Sequence, residues 1–219
     1  MTYIATASQE PTASNVGLPP ETIRRIADAV AAAESRTSAE IRVVVARAPL
    51  VQHPFFSVMW AALAALVLPW LAVLLWPMAA LSLLQIQAII FMVVAGLLML
   101  PGMPERAVPR LALKAAARSA AIEAFLSHGV SQTRGRTGIL IFAAAREHLI
   151  EVVADEGVHG PLGAVAWAEI CDTVARTARQ GHLADGLVAG VQKAGELLAS
   201  ELPPQPGDTD ELDNRVVIV

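Results

Sequence analysis

GILIFAAAREHLIEVVADEGV, residues 138–158, holds two apolar, partly β-branched runs, Gly138–Ala144 and His148–Ala154, joined by Ala145, Arg146 and Glu147. Runs of this length and composition read as strands, and so short a connection makes them antiparallel neighbours. A third run of the same type, EIRVVVA at Glu40–Ala46, lies far upstream. Before Gly138 the pattern is helical: beyond Pro109, residues Leu111, Ala115, Ile122, Phe125 and Leu126 recur at helical spacing, and His128 and Gly129 supply the usual stop. A strand, a helical crossover and a second strand normally run parallel with a right-handed connection. The sheet is therefore expected to be mixed, with its first two strands parallel and its last two antiparallel.

Helices flank these strands. Pro19 and Pro20 lead into Ile23, Ile26, Ala27 and Val30, one apolar stripe at helical spacing. Downstream, Trp167, Ile170, Cys171 and Val174, and then Leu187, Val191, Ala194 and Leu198, show the same periodicity twice more. Residues 1–18 are rich in Ser, Thr and polar residues and read as disordered, and residues 203–219 read as an acidic, Pro-rich tail with VVIV at its tip.

From Ala48 to Pro104 the chain has no Lys, Arg, Asp or Glu. This stretch explains why a chain with 55% hydrophobic and 16% charged residues has a mean hydropathy of +0.53. Within it lie FFSVMWAALAALVLPWLAVLLW, residues 55–76, and, after Pro77, a run ending in AIIFMVVAGLLML, residues 88–100. About 20 apolar residues span the hydrocarbon layer as a helix, and lipid demands a helix because it offers backbone groups no partner. Residues 55–100 are thus expected to form a transmembrane hairpin that interrupts one soluble domain, whose parts are residues 19–49 and 108–202. Trp60 and Trp76 lie near the ends of the first span, where indole rings favour the headgroup region, and Pro69 lies inside it. Basic residues occur on both flanks, Arg42 and Arg47 before and Arg106, Arg110, Lys114 and Arg118 after, and none lies between the spans. That bias places both termini in the cytoplasm of a multi-pass inner-membrane protein. The N-terminal residues show neither the basic nor the apolar region of a signal peptide. The single cysteine, Cys171, excludes an internal disulfide. A net charge of −4, without a cluster of Lys and Arg, argues against a nucleic-acid partner.

Three segments in order, SAEIRVVVA (38–46), GILIFAAAREHLIEVVADEGV (138–158) and GHLADGLVAGVQKAGELL (181–198), resemble the TPM domain family. The resemblance covers about Pro20 to Leu202 outside the hairpin and implies an α/β/α sandwich, which agrees with the order of elements read above. It also implies the activities described for family members: acid phosphatase, calcium binding, or service as an accessory factor for membrane complexes. The pattern departs from the family where the third strand ends, with Asp155-Glu156-Gly157-Val158-His159 in place of the usual Gly-x-Gly-Leu-Glu.

Asp155, Glu156 and His159 form a short cluster at a strand end, where α/β sheets commonly build sites. Two carboxylates and an imidazole could hold a divalent cation such as calcium if Glu40, Glu169 or Asp172 completed the shell. The other reading is a solvated loop whose acids sit at the N-terminus of the next helix, where negative charge is favoured. No known phosphatase motif is complete. Cys171 and Arg176 have one residue too few between them for a Cys-x5-Arg loop, and Asp208-Thr209-Asp210 has no strand before it. The reading is therefore a non-enzymatic module held at the membrane by the hairpin, with the lipid bilayer and another membrane protein as partners. The alternative is a metal-assisted acid phosphatase.

Overall fold

The computed structural model describes residues 19–51, 54–76, 79–100, 107–178, 182–205 and 210–219, with backbone only at 72, 75, 159 and 161–164. The segment 1–18, expected to be disordered, lies outside the described residues. The elements in order are α1 (Pro20–Glu34), β1 (Glu40–Ala46), α2 (Phe55–Leu75), α3 (Ala80–Leu98), α4 (Arg110–Ser127), β2 (Gly138–Ala144), β3 (Leu149–Ala154), α5 (Glu156–Ala178), α6 (Leu183–Glu201) and β4 (Val217–Ile218). The chain divides into two compact units: one holds the residues up to Leu50 together with Ala117–Val219, and the other holds Val51–Ala116.

In the first unit the sheet order is β3-β2-β1-β4. β1 and β2 pair in parallel from Glu40↔Gly138 to Ala46↔Ala144, and β2 and β3 pair antiparallel from Ile139↔Ala154 to Ala144↔Leu149. The mixed sheet is thus as expected. β2 is buried along its whole length, which is why GILIFAA is a continuous apolar run and not an alternating one. Alternate residues divide between two cores. Ile41, Val43, Val45, Ile139 and Ile141 pack with Ile26, Val30, Ile170, Val174, Leu187 and Val191, so α1, α5 and α6 cover one face. Val44, Leu140 and Phe142 pack with Ala121, Ala124 and Phe125 of α4 on the other. Phe142 is 1% exposed, and burial of such a side chain contributes about 1.5–3 kcal/mol. α1 begins with Pro20 at its first position and buries Ile26, Ala29, Val30 and Ala33, of which Ile26 and Val30 belong to the expected stripe, while Ile23 and Ala27 are only partly buried. α4 stops at a glycine in the left-handed region, Gly129 with φ 69°.

The segment read as a tail carries the fourth strand. Val44 pairs with Val217 and Val45 with Ile218, both parallel, and Val219 N–H donates to Val45 O at 3.0 Å. Val216 and Ile218 are 9% and 6% exposed and join the core beneath α1. The VVIV run at the tip of the expected tail is therefore a sheet edge, because its alternate residues find an apolar face to cover.

In the second unit α2 and α3 pack on each other. Their buried residues are small: Ser57, Ala61, Ala65 and Ala95 are each 8% exposed or less. Ser57 Oγ donates to Leu98 O at 3.4 Å, and Trp60 Nε1 donates to Ala107 O at 2.9 Å. Large apolar side chains point outward instead, among them Leu66, Trp70, Leu84, Ile89, Met92 and Val93. By length and composition one helix, Ala80–Leu98, is long and apolar enough to cross a membrane, while the described apolar run of α2, Phe55–Leu71, is shorter. Pro69 stays inside α2, which continues to Leu75.

Candidate functional site

Three carboxyl groups far apart in sequence meet where α1 ends and β1 begins. Glu34 is the last residue of α1, Glu40 is the first of β1, and Asp210 precedes β4. One oxygen from each lies within 4.8 Å of the others. They line a cleft of about 420 Å³ together with Ser35, Thr37, Gln205 and Asn214. The turn that joins α1 to β1 is fixed by Glu34 itself, whose Oε1 accepts a hydrogen bond from Ile41 N–H at 2.7 Å. Glu40 is 8% exposed and accepts from Glu211 N–H and Leu212 N–H, both at 3.2 Å.

Burial dominates the electrostatics. Together with the neighbouring Glu40 and Asp210, and against the pull of the Ile41 N–H and Arg42, it pushes the Glu34 carboxyl from its ordinary value up to about 8. Burial also raises Glu40, opposed by its two backbone hydrogen bonds. At neutral pH Glu34 therefore holds its proton, and the cluster carries less negative charge than three carboxylates would. Glu34 Oε2 and Asn214 Oδ1, both on residues lining the cleft, are buried without a hydrogen-bond partner among the described residues. Orphaned oxygen acceptors beside carboxyl groups are the donor set that a hard cation such as calcium takes, so the residues present fit one.

The residues singled out in the sequence have other neighbours. Asp155, its side chain 5% exposed, is approached by Arg136 Nη2 at 3.1 Å and accepts from Glu156 N–H at 2.7 Å. Glu156 is largely exposed and pairs with Arg136 Nη1 at 3.2 Å. The side chain of His159 lies outside the described residues. Gly157 is locked against the preceding turn, where a Cβ would stand 2.6 Å from Gly135 O and 2.7 Å from Arg136 O. Of the three acids considered as completing ligands, Glu169 pairs with Lys193 at 2.9 Å and Asp172 with Arg176 at 3.3 Å. Only Glu40 stands in a carboxylate cluster among the described residues, and it is a different cluster. Cys171 is a half-buried free thiol of α5, pushed up to about 11 by burial and by Glu151, which makes it a poor nucleophile.

Sequence reasoning passed over Glu34 and weighed Asp210 only as part of Asp208-Thr209-Asp210, an aspartyl-phosphate pattern set aside for want of a preceding strand. The signal available was Glu40, a charged residue opening a strand that is otherwise buried on both faces.

The family model described as the TPM domain matches residues 107–197, which run from the approach to α4 into α6. Among solved structures, the NMR structure of BA42 protein from the psychrophilic bacterium Bizionia argentinensis superposes with a TM-score of 0.60 at 20% identity, over 93% of this chain and 96% of that one. At that identity the likeness is one of fold. Comparison with curated proteins gives no match. Residues 107–197, with the helices, strands and turn that fix Asp155 and the α5–α6 pair, match the model of the TPM domain, the family that the chain's sequence resembles.

Proposed function

We propose that this chain is a membrane-anchored TPM module that binds or assists a membrane protein complex and catalyses no reaction of its own. The observation that carries the reading is the inside-out character of the α2–α3 pair: small residues are buried between the helices, and leucine, isoleucine, methionine and tryptophan side chains face outward. In water such a surface is an aggregation hazard, and in lipid it is ordinary. With no charged residue from Ala48 to Pro104, both helices are read as spans, and the flanking arginines set both ends on the cytoplasmic side of the inner membrane. Alkaline carbonate washing should leave the protein in the membrane pellet. An alkaline phosphatase moiety fused after Val219 should be inactive, and an active one overturns the orientation.

A second reading, metal-assisted phosphatase chemistry, draws on the Glu34, Glu40 and Asp210 cleft. The residues that would hold a cation there are these three, with the orphaned Asn214 Oδ1 beside them. Asp155, Glu156 and His159 are the other candidate set, and the two separate by mutation. Calcium or magnesium should raise the melting temperature of the E34Q/D210N protein less than that of the parent if the cleft binds the ion. The D155A/E156A/H159A protein should lose the response if the strand-end cluster binds it. A parent protein whose melting temperature is indifferent to both ions leaves the non-enzymatic reading standing.

A further inference from the structure

The residues that precede and form β4 are held along the free edge of β1 mainly through their backbone. Where β1 begins, Glu40 takes the N–H groups of Glu211 and Leu212. Two residues further on, Arg42 Nη1 donates to the carbonyls of Asp213 and Arg215. A short ladder then takes over, ending with Arg47 N–H donating to Val219 O at 2.8 Å. Side chains are read only in alternation: Val216 and Ile218 enter the core beneath α1, while Leu212 and Val217 pack towards the α4 face. Main-chain bonds for affinity and alternate apolar pockets for register are how sheet edges recognise extended peptides.

We propose that the β1 edge is a recognition groove for an extended strand, and that Asp210–Val219 from a second copy of the chain replaces the chain's own segment there. A second copy is the occupant with a demonstrated fit, since the same residues already satisfy the groove position by position. The seat held in cis is shallow. Only two residue pairs, Val44↔Val217 and Val45↔Ile218, make up the β1–β4 ladder, and strand pairings this short are weak on their own. Its occupancy therefore rests on tethering, which sets a finite effective concentration that an identical segment at comparable local concentration matches. Exchange of an identical element creates no contact that is absent in the single chain.

The test uses the full-length protein and a fluorescein-labelled peptide of residues 210–219. The peptide should bind the parent chain saturably, and should bind a V216D/I218D chain at least tenfold more tightly, because that chain's own segment no longer competes. The same peptide carrying Ile218→Asp should bind neither. A second readout needs no variant protein: hydrogen exchange in the parent chain. Excess peptide should strip protection from the Val219 amide while leaving that of Arg47 intact, because the incoming strand supplies the acceptor that the outgoing one gave up. The proposal is overturned if Val219 stays protected at saturating peptide, or if the Ile218→Asp peptide displaces the segment equally well.

Discussion

Replacing Glu34 by glutamine should flatten the decline in stability that the buried Glu34 carboxyl imposes as pH rises. Below its ordinary value of 4.5, Glu34 is neutral in the folded and unfolded chains alike and imposes no cost. Above that value the unfolded chain releases the proton while the folded chain keeps it until about pH 8, so stability is progressively lost across this window. Each pH unit of difference is worth about 1.4 kcal/mol, which over the roughly three and a half units from 4.5 to about 8 amounts to about 5 kcal/mol. Solvent reaching the cleft screens the charge and reduces this to about 2 kcal/mol. Glutamine keeps an oxygen for the Ile41 N–H and ionises at no pH, so only the titration is removed. E34Q and parent proteins in nanodiscs should melt alike at pH 4. At pH 8 the variant should melt higher by about 4–8 °C, at 2–4 °C per kcal/mol for a domain of this size. The groups facing Glu34, namely Glu40, Asp210 and Arg42, remain in both proteins and cancel in the comparison. Parallel pH profiles for the two proteins would refute the reasoning, because they would mean that Glu34 is ionised and compensated in the fold.

Gly138 opens β2 beneath the turn at Val130, where a Cβ would stand 2.1 Å from Val130 O, so G138A should destabilise by about 1–3 kcal/mol in urea unfolding. A change below about 0.5 kcal/mol would show that the turn yields freely. Removing the guanidinium in R136A leaves the nearly buried Asp155 carboxylate, among the described residues, with the Glu156 N–H alone, at a cost of about 1–3 kcal/mol, and an unchanged unfolding midpoint would contradict that pairing. Replacing residues 51–105 by a short Gly/Ser linker should yield a folded domain, since both cores are built from residues outside that span. Absence of cooperative melting at several linker lengths would place the α2–α3 pair within the folding unit.

The strands Glu40–Ala46 and Gly138–Ala144 could be read to the residue because both are buried almost throughout, which leaves the apolar run of the second unbroken, that of the first broken only by Arg42, and the ends of both abrupt. α1, α4 and α6 were legible from amphipathic spacing and from the stop at Gly129. β4 was not. Two paired residues carry no periodicity, and what makes Val217 and Ile218 a strand is the open edge of β1, a property of the tertiary structure. The Glu34, Glu40 and Asp210 cleft was illegible for a related reason: its members belong to three elements and converge only when α1, β1 and the segment before β4 are assembled. Asp155 and Glu156 stood out because they are adjacent in sequence, and Arg136, which engages both, was the residue that the reading missed.

The central position of β1 sets a timetable for the ribosome. Its two neighbours, β2 and β4, are both translated after the apolar span that separates Ala46 from Gly138. At ~5–20 residues per second, roughly 10–30 s pass between the emergence of Ala46 and that of Val217. Until β2 emerges, a little over halfway through that interval, a seven-residue run of mostly branched apolar side chains has neither edge satisfied, and its outer edge stays open until β4 follows. A nascent chain of this design has need of a holding factor near the exit tunnel. Its yield should therefore respond to translation speed downstream of β1 more sharply than to speed upstream of it.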